Sequence, residues 1–150
     1  MRRCDMDGTM WEGQPFGGAK IALLCGSRIV ACLRDDKAGI VFPGLWDLPG
    51  GGREGDESPA ACALREVEEE LGIALEEERV GSLRRYESSL PGGPATYFCV
   101  AYVTPAEVAK IRFGCEGQRW RLMEAREFVA LEDAVPSMKQ RLRRCLEEVE

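Results

Sequence analysis

One segment of this chain, residues 50–73, limits the possible folds more than any other, because it carries signals for both ends of a helix. Ser58 is a favoured N-cap residue, Pro59 fits the first helical position, and Gly72 suits a left-handed helix end. Apolar residues recur between these ends at the spacing of one helix face, and they are Leu64, Val67 and Leu71. The segment therefore predicts a helix over 59–71, preceded by a Gly50-Gly51-Gly52 breaker.

Three glutamates of this predicted helix stand at positions i, i+3 and i+4: Glu66, Glu69 and Glu70. That spacing puts their carboxylates on one face, where like charges repel unless a cation lies between them. The window 51–73 holds seven acidic residues against two basic ones, within a chain whose net charge is −6. Oxygen donors favour Mg²⁺ or Mn²⁺ over zinc, and Mg²⁺ commonly completes its shell with water and phosphate oxygens. The helix therefore predicts a metal site for a phosphate-bearing substrate, and the alternative is a solvated glutamate face without metal.

Neighbouring residues fit the same hypothesis. Arg65 precedes Glu69 by four residues and could hold a carboxylate in position through charge-assisted hydrogen bonds. The loop containing Gly50 could offer a carbonyl oxygen to the metal, and Glu57 lies just before the N-cap, where the helix dipole favours an acid.

The composition excludes several classes of function. The absence of histidine excludes Ser-His-Asp and Cys-His catalysis and every His-ligated metal site. The seven cysteines form no Cys-x-x-Cys pair, so we interpret them as buried free thiols. The net charge of −6 argues against general nucleic-acid binding. Apolar runs are too short for a membrane span and no secretory signal is visible, so we expect a cytoplasmic protein without membrane contact.

Alternating strand and helix signals predict a mixed α/β domain. Two β-type runs joined by Gly26-Ser27 predict a hairpin, which favours a mixed sheet over a purely parallel one. Residues 1–18 are interpreted as an N-terminal extension or tail, and residues 19–150 as a single domain. Further strands are predicted at 80–88, 95–104 and 119–123, and further helices at 105–110, 124–131 and after Pro136.

The pattern that begins at Gly51 is Gly-x5-Glu-x7-Arg-Glu-apolar-x-Glu-Glu-x-Gly-apolar, and it ends at Ile73. It matches the signature of the Nudix hydrolases at every fixed position, so the chain resembles that family. The resemblance implies an α/β/α sandwich around a mixed β-sheet, with residues 51–73 as a loop-helix-loop catalytic motif. It also implies hydrolysis of a nucleoside diphosphate linked to another group, with a divalent metal that is usually Mg²⁺ and for which Mn²⁺ can substitute.

The same resemblance assigns expected roles to individual residues. Metal ligands would be Glu66, Glu69, Glu70 and the carbonyl of Gly50. Arg65 would orient the carboxylates, and Glu57 would be an outer ligand or a further orienting group. Without histidine the general base must be a carboxylate, and Glu66 is one candidate. Members of the family often add a glutamate from a distant loop, so the resemblance implies Glu116, in a Gly-flanked loop just before a predicted strand, as the other candidate.

The short chain and its Leu-Trp-Asp-Leu-Pro-Gly-Gly sequence most resemble the mutator-type nucleoside triphosphate pyrophosphohydrolases, which release pyrophosphate. One alternative is the same chemistry on ADP-ribose or a nucleotide sugar, and another is a Nudix domain that only senses nucleotide. The expected partner is a small nucleotide rather than a nucleic acid, and a homodimer is left open.

Other aromatic and basic residues allow two interpretations each. Trp46, Phe98 and Trp120 are expected in the core, although one of them could stack on a base. Arg34, Arg53 and Arg119 are expected on the surface, although they could contact phosphate. The basic residues of the last helix are interpreted as its solvent-exposed face, and they are Lys139, Arg141, Arg143 and Arg144.

Overall fold

A computed structural model describes residues 11–88, 91–114 and 116–149 of the chain. Its strands are β1 (Gly18–Cys25), β2 (Arg28–Leu33), β3 (Trp46–Asp47), β4 (Gly50–Gly52), β5 (Val80–Tyr86), β6 (Thr96–Tyr102) and β7 (Arg119–Glu124). Its helices are α1 (Pro59–Leu71), α2 (Pro105–Ala109), α3 (Ala125–Ala130) and α4 (Pro136–Val149), with a 3₁₀ turn at Glu77–Arg79.

The strands within these described residues join in one mixed sheet. Its order is β3-β2-β1-β6-β5, while β4 pairs with β1 and β7 pairs with β2. The central strands β1 and β6 run parallel, and the other paired strands run antiparallel. The sheet is therefore mixed, as the hairpin signal predicts.

Side chains of β1 alternate between two cores, because successive residues of a strand point to opposite faces of the sheet. Ile21 and Leu23 pack on the face that α1 covers. Ala22 and Leu24 pack on the opposite face, where α3 and α4 contribute Phe128, Met138 and Leu142. Helices thus cover both faces, and the expected α/β/α sandwich is confirmed.

Helix α1 begins and ends at the predicted residues. The Ser58 hydroxyl accepts a hydrogen bond from the Ala61 amide at 3.1 Å and caps the first turn. At the other end, Gly72 has a φ of 73° and its amide donates to the Glu68 carbonyl at 3.0 Å. Because Val67 and Leu71 are buried against the sheet, the side chains on another face of the helix are directed away from this core.

Strand β4 corrects the prediction of a simple breaker at Gly50-Gly51-Gly52. This segment pairs antiparallel with β1, so that Gly18 lies opposite Gly52 and Lys20 lies opposite Gly50. A β-carbon at Gly18 would lie only 2.5 Å from the Gly51 carbonyl oxygen. The approach of the two backbones therefore requires glycine, and tertiary pairing outweighs the low strand propensity of a glycine run.

The residues just before β1 are attached more firmly than a loose extension would be. Phe16 is 6% exposed and packs edge-on against Tyr97, with the ring centroids 5.3 Å apart. The guanidinium of Arg53 lies over the Phe16 ring at 4.3 Å from its centroid and close to Trp11. Residues 1–10 of the predicted extension lie outside the described residues.

Trp46 and Phe98 are buried, which confirms their expected place in the core, and Trp120 is half-buried against it. Free thiols are buried at Cys62, Cys99 and Cys145 and half-buried at Cys25 and Cys32, while Cys4 and Cys115 lie outside the described residues.

No helix in the described part of the chain combines the length and apolar content that crossing a membrane would require.

Candidate active site

Arg65 is the centre of a charged network on α1. Its Nε donates to Glu57 Oε2 at 2.6 Å, and its Nη1 donates to Glu66 Oε2 at 3.1 Å and to Glu69 at 3.2 Å. Its Nη2 reaches the carbonyl of Gly52 at 2.7 Å. The hydrogen bond from Arg65 lowers the pKa of Glu57, and the same carboxylates raise the pKa of Arg65. The guanidinium thus fixes three of the predicted site residues relative to β4, which agrees with an orienting role.

Glu70, like Glu66, is half-buried, whereas Glu68 and Glu69 are exposed. Its Oε1 accepts a hydrogen bond from the Gly50 amide at 3.3 Å. Burial, with a smaller contribution from the neighbouring Glu66, raises the pKa of Glu70 to about 8. The two carboxylates raise each other's cost of ionisation, and a cation placed between them would be stabilised.

Lys20, which the sequence analysis did not single out, is a cation at this place. Its Nζ donates to Asp47 Oδ2 at 3.1 Å and to the carbonyls of Leu48 at 3.0 Å and Gly50 at 3.3 Å. The Gly50 carbonyl, expected as a metal ligand, thus faces a positive group in this structure. The signal that could have revealed Lys20 is a single lysine within the apolar run of β1.

Asp47 binds Arg34 as well as Lys20. It is 5% exposed, and its Oδ2 also accepts from Arg34 Nη1 at 3.2 Å. Nε of Arg34 donates to the Val41 carbonyl at 2.8 Å, so the same side chain holds the loop that connects β2 to β3. Arg34 is therefore a structural link at the site rather than a simple surface residue.

A cleft of about 410 Å³ opens between this network and the loop before β7. It brings together four of the predicted site residues: Gly50, Glu66, Glu70 and Glu116. Two others, Glu57 and Glu69, are bound to Arg65 and are not among the residues that line the cleft. The Glu69 side chain is 57% exposed, whereas that of Glu66 is 16% exposed.

Backbone hydrogen bonds hold the loop that carries Glu116. The Gly114 amide donates to the Glu70 carbonyl at 2.7 Å, and the Gln118 amide donates to the Leu33 carbonyl at 2.9 Å. Between these anchors, the Glu116 side chain reaches the cleft without a hydrogen bond or ion pair to any described residue. The loop thus adds Glu116 to the lining of the cleft.

Gly51 controls the position of Glu66. A β-carbon on Gly51 would lie 2.6 Å from the Glu66 carboxyl carbon. Only glycine therefore lets this carboxylate lie against β4 in its present position.

The donor chemistry of the cleft fits a hard divalent cation. No group of three Asp, Glu or Cys side chains within the described residues is arranged to hold a metal as it stands. Mg²⁺, however, needs only one or two carboxylates when water and phosphate complete its shell. Glu66, Glu70 and the Gly50 carbonyl offer such a set of oxygen donors in the lining of one cleft.

A second cleft, of about 450 Å³, shares Lys20, Arg34 and Asp47 with the first and extends to the start of α4. Arg141 lines it, which corrects the expectation that this residue belongs to a solvent-exposed basic face. Arg141 is half-buried because its guanidinium stacks 4.2 Å from the ring centroid of Tyr86.

Comparison with known proteins places the chain in a family. The family model for the NUDIX domain matches residues 18–149. An RNA pyrophosphohydrolase from Dinoroseobacter shibae is 32% identical over 116 residues, which cover 69% of this chain and 65% of that protein. Diphosphoinositol polyphosphate phosphohydrolase 3-beta from Bos taurus is 36% identical over 83 residues, 49% of this chain and 49% of that protein. The chain spans between 20% and 65% of the length of the curated relatives it matches.

Solved structures agree on the fold. The MutT protein of Methanosarcina mazei Go1 has a TM-score of 0.69 at 20% identity, covering 93% of this chain and 99% of that chain. A Francisella tularensis bifunctional NMN adenylyltransferase/ADP ribose pyrophosphatase, complexed with AMP and a manganese ion, has a TM-score of 0.72 at 18% identity. The structural alignment covers 93% of this chain and 43% of the Francisella tularensis chain. With a family model that spans nearly the whole described chain and a fold that these structures share, this chain belongs to the Nudix family.

Proposed function

We propose that the chain is a divalent-metal-dependent pyrophosphohydrolase that acts on nucleoside diphosphate derivatives, with Mg²⁺ as its metal and Mn²⁺ as a substitute. The observation that carries this proposal is the single cleft that Glu66, Glu70, Gly50 and Glu116 line together. Family membership supports the same chemistry.

Glu66, Glu70 and the Gly50 carbonyl are the proposed metal-holding groups. Glu69 and Glu57, bound to Arg65, would act as a further ligand and an outer orienting group. When bound, a divalent cation would neutralise charge on the phosphate oxygens and lower the pKa of a coordinated water. Arg65 keeps the carboxylates in position, so that little reorganisation is needed when substrate arrives.

For the general base we propose Glu116, with Glu66 as the alternative. Glu116 forms no hydrogen bond with any described residue, whereas Arg65 donates to Glu66 at 3.1 Å. A carboxylate that is bound by a guanidinium is a poorer proton acceptor than a free one. Glu116 would take the proton from the attacking water, and cations of the cleft such as Lys20, Arg34 and Lys37 would orient the phosphates.

The proposed substrate is a nucleoside or deoxynucleoside triphosphate, cleaved to the monophosphate and pyrophosphate. The MutT-type structural neighbours favour this substrate. Cleavage of ADP-ribose or a nucleotide sugar is the alternative, because one structural neighbour is an ADP ribose pyrophosphatase. A nucleotide sensor without catalysis is less well supported, because every acidic residue of the motif is present.

A substrate panel tests this proposal. Nucleoside triphosphates, ADP-ribose, nucleotide sugars and a 5′-triphosphorylated oligonucleotide are incubated with protein and Mg²⁺, and the products are separated by chromatography. We expect monophosphate plus pyrophosphate from triphosphates. Absence of cleavage for every compound, with either Mg²⁺ or Mn²⁺, would contradict the proposed activity.

Two variants and one control test the residue roles. Glu66→Gln should lose activity and bind Mg²⁺ more weakly. The control, Glu68→Gln, changes an exposed residue on the same helix and should alter neither property. Glu116→Gln should lower kcat by about a hundredfold with little change in Mg²⁺ affinity, as removal of a general base does. Full activity of Glu116→Gln would assign the base to Glu66.

A further inference from the structure

The second cleft has the opposite charge balance to the catalytic one. Its charged lining residues are the basic Lys20, Arg34 and Arg141 and the acidic Asp47. Lys20 and Arg34 already share the Asp47 carboxylate, at 3.1 and 3.2 Å. Arg141 therefore adds a positive charge to this cleft that Asp47 does not balance.

Arg141 has no carboxylate partner in the part of the chain that the structure describes. The ring of Tyr86 covers one side of its guanidinium, and the Tyr86 hydroxyl is itself buried without a hydrogen-bond partner among those residues. Burial lowers the pKa of Arg141, because no nearby acid offsets the lost hydration. Stacking thus fixes the direction of the side chain and leaves its N–H donors without a described acceptor.

The remaining wall of the second cleft is apolar. Val41 and Phe42 lie on the loop between β2 and β3 and are 67% and 43% exposed, and Met138 lies on α4. The backbone of Phe42 has a φ of 54°, a conformation that residues other than glycine rarely adopt. A flat, weakly polar group such as a nucleobase suits this wall better than a polyhydroxylated ring does.

The geometry points to Arg141 as a specificity-determining residue that binds an additional phosphate on the nucleoside part of the substrate. This inference rests on the proposed function, because it places the diphosphate in the acidic cleft and the nucleoside in the adjoining one. The shared residues Lys20 and Arg34 lie between the two clefts, so one substrate can occupy both. The preferred ligand class is a nucleotide that carries a phosphomonoester or phosphodiester beyond the scissile diphosphate.

Binding of reaction-product analogues tests the inference without requiring turnover. Calorimetry in the presence of Mg²⁺ compares AMP with adenosine 3′,5′-bisphosphate and with the dinucleotide pApA. We expect the bisphosphate or pApA, each of which carries one phosphate more than AMP, to bind about ten- to hundredfold more tightly than AMP. This is the usual range for hydrogen bonds to a charged group. Preference for the bisphosphate indicates a monoester, and preference for pApA indicates a diester.

Two variants decide whether Arg141 is responsible. For Arg141→Gln, the affinity for the preferred probe with an additional phosphate should become close to the affinity for AMP, so that their ratio is about one. Arg144→Gln removes the same charge three residues later on α4, from a residue that pairs with Glu148, and should retain the wild-type ratio. Because each ratio is measured within one variant, a partly unfolded fraction does not affect it.

Equal binding of all three probes by the wild type would overturn the inference, and so would an unchanged ratio in Arg141→Gln. The proposed function fails separately, if no compound of the substrate panel is cleaved. Wild-type turnover with no phosphate preference would therefore refute the role of Arg141 alone, and phosphate preference without turnover would refute the catalytic proposal alone.

Discussion

The two clefts of this protein share a wall but differ in charge. The proposed catalytic cleft is lined by Glu66 and Glu70 of α1, by the glycines of β4 and by loop residues such as Glu116. The second cleft is lined by basic and apolar residues, and part of its wall is the loop that carries Val41 and Phe42. The difference in charge matches the proposed division of work, in which the acids of α1 hold the metal for hydrolysis and the second cleft selects the substrate.

Asp47 connects the two regions. Its carboxylate binds Lys20 and Arg34, which line both clefts. A substitution at Phe42, which lines only the second cleft, can therefore test selection separately from catalysis.

The largest effect is expected for Gly51→Ala. The new methyl group would lie 2.6 Å from the Glu66 carboxyl carbon, so this flexible side chain must turn away. A displacement of about 1 Å in a catalytic group can cost about a hundredfold in kcat, and we expect a loss of that size. Steady-state kinetics with Mg²⁺, together with a thermal unfolding curve, measure the effect on activity and on stability separately.

Gly52→Ala is the matched control. The nearest atom to its β-carbon would be the Gly17 carbonyl oxygen at 3.9 Å, which is an ordinary contact. If both variants lost activity equally, the effect would come from the glycine strand as a whole and not from the position of Glu66.

Arg65→Lys should have the next largest effect. Lysine keeps the charge but cannot reproduce the fork of N–H groups that binds Glu57, Glu66 and the Gly52 carbonyl together. We expect kcat/KM to fall about ten- to hundredfold, as for other residues that orient metal ligands. A variant with unchanged kinetics and unchanged Mg²⁺ dependence would show that the network is not needed for catalysis.

Phe42→Asn probes the apolar wall of the second cleft. Asparagine tolerates a positive φ better than phenylalanine does, so the free energy of unfolding should change by less than about 1 kcal/mol. The loss of apolar contact should raise KM for a nucleotide substrate about fivefold, equivalent to about 1 kcal/mol, and leave kcat unchanged. A fall in kcat without a change in KM would indicate that this loop takes part in the chemistry.

The smallest effect is expected at a pair that lines neither cleft. Two hydrogen bonds from Arg79, at 2.9 and 2.7 Å, lower the pKa of Glu107 to about 2. A carboxyl group whose pKa is lower in the folded protein stabilises it above the unfolded pKa of about 4.5, and this contribution is lost as the pH falls towards 2.

Glu107→Gln should therefore lower the free energy of unfolding at pH 7 by less than about 1 kcal/mol, because the pair is partly exposed. The difference from wild type should shrink between pH 4.5 and pH 2 in urea titrations. Catalytic activity should be unchanged, and a loss of activity would mean that the clefts depend on charges outside them.

Helix α1 could be predicted to the residue because its ends depend on local interactions. Ser58 caps an amide three residues away, and Gly72 takes a left-handed conformation that few other residues adopt easily. The face that carries Glu66 and Glu70 follows from helical geometry, so the acids of the candidate site could be predicted as well.

Features that depend on distant residues could not be predicted in this way. Strand β4 forms because Gly18 lets the Gly50–Gly52 segment approach, and a run of glycines carries no strand signal of its own. Lys20 becomes a site residue only through its pairing with Asp47, 27 positions away in sequence.

Arg141 illustrates the same limit on the opposite face of the sheet. Helical periodicity places it among the basic residues of α4, but the ring of Tyr86 on β5 holds its guanidinium at the second cleft. Periodicity identifies a polar face, and only the packing of neighbouring elements shows which of its members point into a cavity.

The pairing of β4 with β1 has a consequence for how such a protein can diversify. The Gly50 carbonyl and the backbone beneath Glu66 belong to the sheet, whereas Val41 and Phe42 belong to a connection outside it. Exchanges at Val41 and Phe42, which line only the second cleft, can thus accumulate over generations and alter which compounds are accepted, while the proposed hydrolytic centre is inherited intact.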